Sequence, residues 1–100
     1  MKKLKTKRWD PVEHLDTDAN IAGYLDAALE DGDPALVTAA LGDIARAKGM
    51  TKIAHAAGLG RESLYKSLSR DGNPELSTVL RVVTALGLRL RVAPANPSRR

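Results

Sequence analysis

In the stretch MTKIAHAAGLGRESLYKSLSRDGNP, residues 50–74, the side chains equipped for chemistry are Arg61, Glu62, Tyr65, Lys66, Ser69 and Arg70. At helical spacing Arg61, Glu62, Tyr65, Lys66 and Ser69 share one outward face, while Leu64 and Leu68 point the other way. A row of this kind suits recognition rather than bond breaking. Arg61 can donate two hydrogen bonds to a guanine edge, and Lys66 and Arg70 suit phosphate oxygens. Tyr65 can touch a thymine methyl or pack its ring on the helix. Glu62 can read cytosine or orient Arg61. Thr51 and Lys52, at the start of the preceding helix, also suit phosphate, because free backbone N–H groups point outward there.

Catalytic alternatives fare worse. His14 and His55 are the only histidines, and no Ser–His–Asp order with a plausible pocket emerges. Asp10, Glu13, His14 and Asp16 cluster in sequence, but neither their spacing nor the helix phase converges them on a metal. Gly58-Leu59-Gly60 lacks the preceding strand and the following Lys-Ser/Thr of a phosphate loop. The expectation is a non-enzyme without metal or cofactor.

The elements that must position the recognition row form a helix-turn-helix. Ala54 is small where the second helix crosses the first. Gly58, four residues on, supplies positive φ for the turn, and Leu59 plugs the gap. Ile53, Ala57, Leu64 and Leu68 complete the inward set. Leu68 stands in for Ser67, a position usually apolar in this motif. Thr51 is expected to cap the first helix, 52–57, and the second is expected over about 61–69. Such a second helix enters a DNA major groove with its N-terminal residues at base edges.

Around this pair the periodicity predicts three more helices. One spans about 17–31, capped by Asp16 or Thr17, with Ile21, Tyr24, Leu25, Ala28 and Leu29 on its apolar side. The next spans 34–48, with Asp33 as cap and Pro34 in the first turn, and with Leu36, Val37, Ala40, Leu41 and Ile44 inward. The last spans 78–86, capped by Ser77, with Val79, Leu80, Val83 and Leu86 inward. Gly32, Gly49, Gly58 and Gly87 fall at the ends. Leu88-Arg89-Leu90-Arg91-Val92 alternates apolar and basic, which predicts a short strand in need of a partner. Residues 94–100 have the composition of a tail.

One hundred residues with 43% hydrophobic and 28% charged side chains and no cysteine suit a single small globular domain in a reducing compartment. No apolar run approaches the ~20 residues of a membrane span. The basic MKKLKTKR start has no apolar stretch behind it and is not a secretory signal, so the cytoplasm is expected. Charge is strongly segregated. Residues 1–8 carry five basic residues, residues 9–33 carry eight acids and no Lys or Arg, and residues 34–100 carry eleven basic residues against four acids. An acidic segment ahead of a basic domain suggests two binding faces.

Three segments give a more specific lead: GDPALVTAALGDIARAKGM (32–50), RESLYKSLS (61–69) and GLRLRV (87–92). With them, residues 9–93 resemble the addiction module antidote proteins, a HigA-like branch of the Xre-type helix-turn-helix regulators. The resemblance implies an all-α, five-helix, lambda-repressor-like domain with a short C-terminal β-strand. It divides the chain into a basic tail and acidic, toxin-contacting helix (1–33), a DNA-binding domain with the strand (34–93) and a tail (94–100). It implies an antitoxin that neutralises a RelE/ParE-superfamily, HigB-like toxin and represses its own operon as a homodimer on palindromic operator DNA. Groove residues map to Arg61, Glu62, Tyr65 and Lys66, while Gly60 stands where the family has a polar cap. The partner-binding set is Tyr24, Leu25, Leu88, Leu90 and Val92. The strand can pair with its twin, the preferred reading, or with a toxin sheet. The alternatives are a stand-alone, phage-derived Xre-type regulator whose acidic N-terminus binds only itself, and a protein-interaction module that has lost DNA binding.

Overall fold

A computed structural model describes residues 15–69 and 71–95. Its helices are α1 (Asp18–Asp31), α2 (Pro34–Lys48), α3 (Met50–Ala57), α4 (Arg61–Ser67) and α5 (Leu76–Ala85), with no strand among the described residues. Residues 1–14, with the basic run and the Asp10, Glu13 and His14 group, lie outside that description, as do Arg70 and residues 96–100.

Local signals set most boundaries. Thr17 caps α1, its hydroxyl oxygen accepting from the Asn20 N–H at 3.1 Å. Asp16 acts beside it, accepting from the Asn20 side-chain amide at 3.2 Å. Asp33 caps α2 by accepting from the Ala35 N–H at 3.0 Å, with Pro34 in the first turn. Gly32, Gly58 and Gly87 take φ of 88°, 72° and 78° at helix ends.

Two starts differ from the sequence expectation. Helix α3 begins at Met50, so Thr51 lies inside it and is not its cap. Gly49 turns the chain at φ 107°, and its carbonyl accepts from the Ile53 N–H at 3.0 Å, closing the first turn early. Burial of Met50 holds that start in place. Helix α5 begins at Leu76 after Glu75, whose carbonyl accepts from the Val79 N–H at 3.0 Å, so Ser77 is likewise not a cap.

The interior is aliphatic. Its most completely buried side chains are Ile21, Leu41, Ile44, Leu64, Leu68 and Val82, so α1, α2, α4 and α5 all contribute. Burying each such side chain is worth about 1.5–3 kcal/mol. Helix α1 packs on α2, and α3 packs on α2, α4 and α5. Leu15, ahead of α1, also joins the core.

Three expected inward positions are corrected. Leu29, Leu36 and Leu80 are exposed, while Val82 is fully buried. In α5 the inward face is Val79, Val82, Val83 and Leu86, and Leu80 falls on the outer side with Leu76. Leu36 lies one residue, about 100° of helix rotation, from Val37 on the inner face of α2. Leu29 is similarly next to Ala28.

After α5 the Leu88 N–H donates back to the Val83 carbonyl at 3.1 Å. Residues 88–95 then run on without helix or strand, so the expected strand is not formed within the single chain.

Candidate functional site

Helices α3 and α4 form a pair closed by backbone. Gly58 donates to the His55 carbonyl at 3.1 Å, and Leu59 donates to the Ala54 carbonyl at 2.9 Å. This is the bond pattern of a glycine-terminated helix. Ile53, Ala54, Leu64 and Leu68 are buried, Ala57 is 8% exposed, and Leu59 is half-buried. Leu68 occupies the interior where Ser67 is only half-buried. Gly60 precedes α4 with extended backbone and no side-chain cap bond, and its carbonyl accepts from the Leu64 N–H at 2.9 Å.

Arg61, Glu62, Tyr65 and Lys66 of α4 are exposed, as are Thr51 and Lys52 on the first turn of α3. Ser69 differs: it is half-buried, and its hydroxyl donates to the Lys66 carbonyl at 2.8 Å. It finishes the helix rather than lying open beside the others. His55 is exposed.

Two glycines that the motif reading did not single out seat the end of α4. A Cβ on Gly42, in the middle of α2, would lie 2.6 Å from the Leu68 carbonyl oxygen. A Cβ on Gly72 would lie 2.0 Å from the Ser67 oxygen and 2.7 Å from the Lys66 oxygen. The backbone around 66–68 is thus packed against backbone on two sides. The available signals were, for Gly42, a glycine inside a helical pattern, which can have a packing reason, and, for Gly72, the turn sequence Asp71-Gly72-Asn73-Pro74.

The expected partner set divides. Leu25 belongs to the core, 4% exposed, because it stands one turn from Ile21 on the face that meets α2. Tyr24 is half-buried, and its hydroxyl donates to Asp43 at 2.7 Å. Asp43 also pairs with Arg46, so a polar link that sequence reasoning missed ties α1 to α2. Burial first, and then the Asp43 carboxylate, push the Tyr24 phenol up to about 12 from its ordinary 10.0. Because the fold favours the neutral phenol, the stability it contributes is complete below pH 10.0 and lost as pH rises through about 12. Phenolate absorbance should show one late-ionising tyrosine, absent in Tyr24→Phe. Loss of the hydrogen bond should cost about 1 kcal/mol in urea denaturation.

Leu88 packs partly against the core, whereas Leu90 and Val92 are exposed. Residues 88–91 face α1 across a groove of ≈ 380 Å³ lined on the helix side by Ala22, Gly23, Leu25, Asp26 and Leu29.

Among the described residues no group of His, Asp or Glu side chains is placed to hold a metal ion, and no helix is long and apolar enough to cross a membrane.

A family model described as "Probable addiction module antidote protein" matches residues 5–94. The chain belongs to the addiction module antidote family. An uncharacterized protein of Haemophilus influenzae is 46% identical over 86 residues, covering 86% of this chain and 89% of that protein. No solved structure matches. Membership gives this antidote the general role of an antitoxin with a toxin as partner, and it suggests a regulatory protein rather than an enzyme. The match includes both the acidic α1 and the α3–α4 pair.

Proposed function

We propose that this antidote neutralises a RelE/ParE-superfamily toxin of the HigB-like branch and, as a dimer, represses its own operon by placing α4 in the major groove of operator DNA. The observation that carries the DNA half is the division of α4. Leu64 is 1% exposed, Leu68 at its end is 2% exposed, and Arg61, Glu62, Tyr65 and Lys66 all face outward. On this reading α3 and α4 are a helix-turn-helix, with Arg61 and Glu62 at base edges and Thr51, Lys52, Lys66 and Arg70 at phosphates.

The toxin half is supported by charge. Asp16, Asp18, Asp26, Glu30, Asp31 and Asp33, on and around α1, are all exposed. Lys48 meets only Asp18 among them, at 3.7 Å. An acidic surface of this kind attracts a basic, RNA-directed toxin and speeds encounter. Repression and neutralisation then use opposite charges on different elements, so one chain can hold both partners.

Two measurements on the full-length chain test the reading. The first is fluorescence anisotropy with duplex DNA from the gene's own promoter, against a scrambled duplex of equal length. Preference of at least tenfold for the promoter is expected, and equal binding removes the repressor role. The second is co-expression with the adjacent reading frame, followed by growth and co-purification. Rescue of growth with recovery of a small basic protein is expected. Promoter binding without rescue leaves a stand-alone regulator instead.

A further inference from the structure

We propose that the groove beside the first two turns of α1 is the seat of this chain's own N-terminal segment, with the Trp9 indole as its occupant. The assignment goes beyond the antitoxin reading, and its test needs neither toxin nor DNA.

The chain itself leads there. Leu15 is 4% exposed and belongs to the core. It stands three residues ahead of Asp18, where α1 begins, yet it lines a groove of ≈ 300 Å³ together with Ala19, Asn20, Gly23 and Tyr24. Gly23 and Tyr24 belong to the second turn of the helix. The chain bends at Thr17, so Leu15 lies alongside α1 instead of leading straight off its end. Whatever precedes Leu15 therefore starts at the groove. A tethered occupant binds at an effective concentration that a free partner does not match.

The floor of the groove is small and open. Ala19 and Gly23 are exposed, and a Cβ built on Gly23 meets nothing within 4 Å. Trp9 is the chain's one tryptophan and the largest apolar side chain ahead of Leu15. The six residues from Trp9 to Leu15 reach about 20 Å when extended, while Leu15 and Gly23 already border one groove. Seating an indole removes about 150–250 Å² from water.

Charge favours the same occupant. Lys2, Lys3, Lys5, Lys7 and Arg8 precede Trp9. Helix α1 carries Asp18, Asp26, Glu30 and Asp31, all exposed, and no Lys or Arg. With Trp9 beside Gly23, the basic run continues toward Asp26 and Glu30, about one and two turns further along the helix. The family match opens at residue 5, so the segment is part of the matched domain.

As the sole tryptophan, Trp9 reports its own burial in the full-length chain. Its acrylamide quenching constant is expected to be at least threefold lower in the native chain than in urea, and independent of protein concentration. Ala19→Lys and Gly23→Lys, at exposed positions on the groove floor, are each expected to restore most of the quenching with unchanged circular dichroism. Ala35→Lys, exposed on the first turn of α2 and outside this groove, is expected to leave Trp9 protected. Native quenching as strong as in urea overturns the assignment. So does protection that survives both groove variants, or is lost equally in Ala35→Lys. Protection that falls on dilution, in step with dissociation seen by sedimentation, overturns it as well, because a second copy would then be seating the indole.

Discussion

Gly42→Ala is expected to destabilise the protein by about 2 kcal/mol, although alanine is ordinarily the better helix residue by about 1 kcal/mol. The added Cβ would stand 2.6 Å from the Leu68 carbonyl oxygen, which is backbone and cannot rotate aside. Either α2 withdraws from the end of α4 or the 66–68 turn shifts, and both disturb the packing of Leu64, Leu68, Leu41 and Ile44. Gly72→Ala should act in the same direction and more strongly, at about 3 kcal/mol, because its Cβ would overlap the Ser67 and Lys66 carbonyls. Gly23→Ala is the internal contrast. It too lies inside a helix, but nothing stands within 4 Å of its Cβ, so it should gain up to about 1 kcal/mol. Urea denaturation of the three variants reads the signs directly. A chain of this size has a total stability of about 5–15 kcal/mol, so 2 kcal/mol is a large fraction of it. A neutral or stabilising Gly42→Ala would mean that α2 and α4 are not in close contact.

The contrast between these glycines marks where the sequence stops being legible. Gly32, Gly58 and Gly87 could be read as helix ends because each follows a periodic run and precedes a new element. Gly23 and Gly42 look alike in sequence, since both interrupt a helical pattern, and only the packing separates them. The same holds for apolar faces. α2 lies at the expected residues because Asp33-Pro34 and Gly49 bracket it. α5 is apolar on several sides, so periodicity admitted Leu80 to the interior where the fold uses Val82. Capping was legible where a short polar side chain precedes the first turn, as at Thr17 and Asp33. It was misread at Thr51 and Ser77, where backbone turns start the helix two residues earlier. In the candidate site, the exposure of Arg61, Glu62, Tyr65 and Lys66 on α4 followed from spacing alone, whereas Ser69, expected in the same row, is half-buried. The Tyr24–Asp43 link did not, because it joins residues 19 apart in the chain through a contact that depends on how α1 lies across α2.

Arg61→Ala and Lys66→Ala should weaken operator binding in different ways if α4 occupies the major groove. Both side chains are exposed on α4, one in its first turn and one in its last, and neither contributes to the core. Their removal should therefore leave the melting temperature and toxin capture intact. Arg61 at a guanine edge supplies base discrimination of about 1–3 kcal/mol, so Arg61→Ala should lose roughly 5- to 150-fold on the operator and little on scrambled DNA. Lys66 at a phosphate contributes through counterion release, which every sequence shares. Lys66→Ala should weaken both duplexes alike and reduce the salt slope of log K by about 1. Anisotropy titrations at several salt concentrations separate the two effects. An Arg61→Ala variant that loses equally on both duplexes would move Arg61 to the phosphates, with base reading left to Glu62 and Tyr65. A Lys66→Ala variant with an unchanged salt slope would take Lys66 off the DNA. An Arg61→Ala variant that loses on neither duplex, together with an unchanged Lys66→Ala slope, would place α4 outside the groove, because no rotation that keeps Leu64 and Leu68 buried can present this helix to DNA while withholding both of its cations.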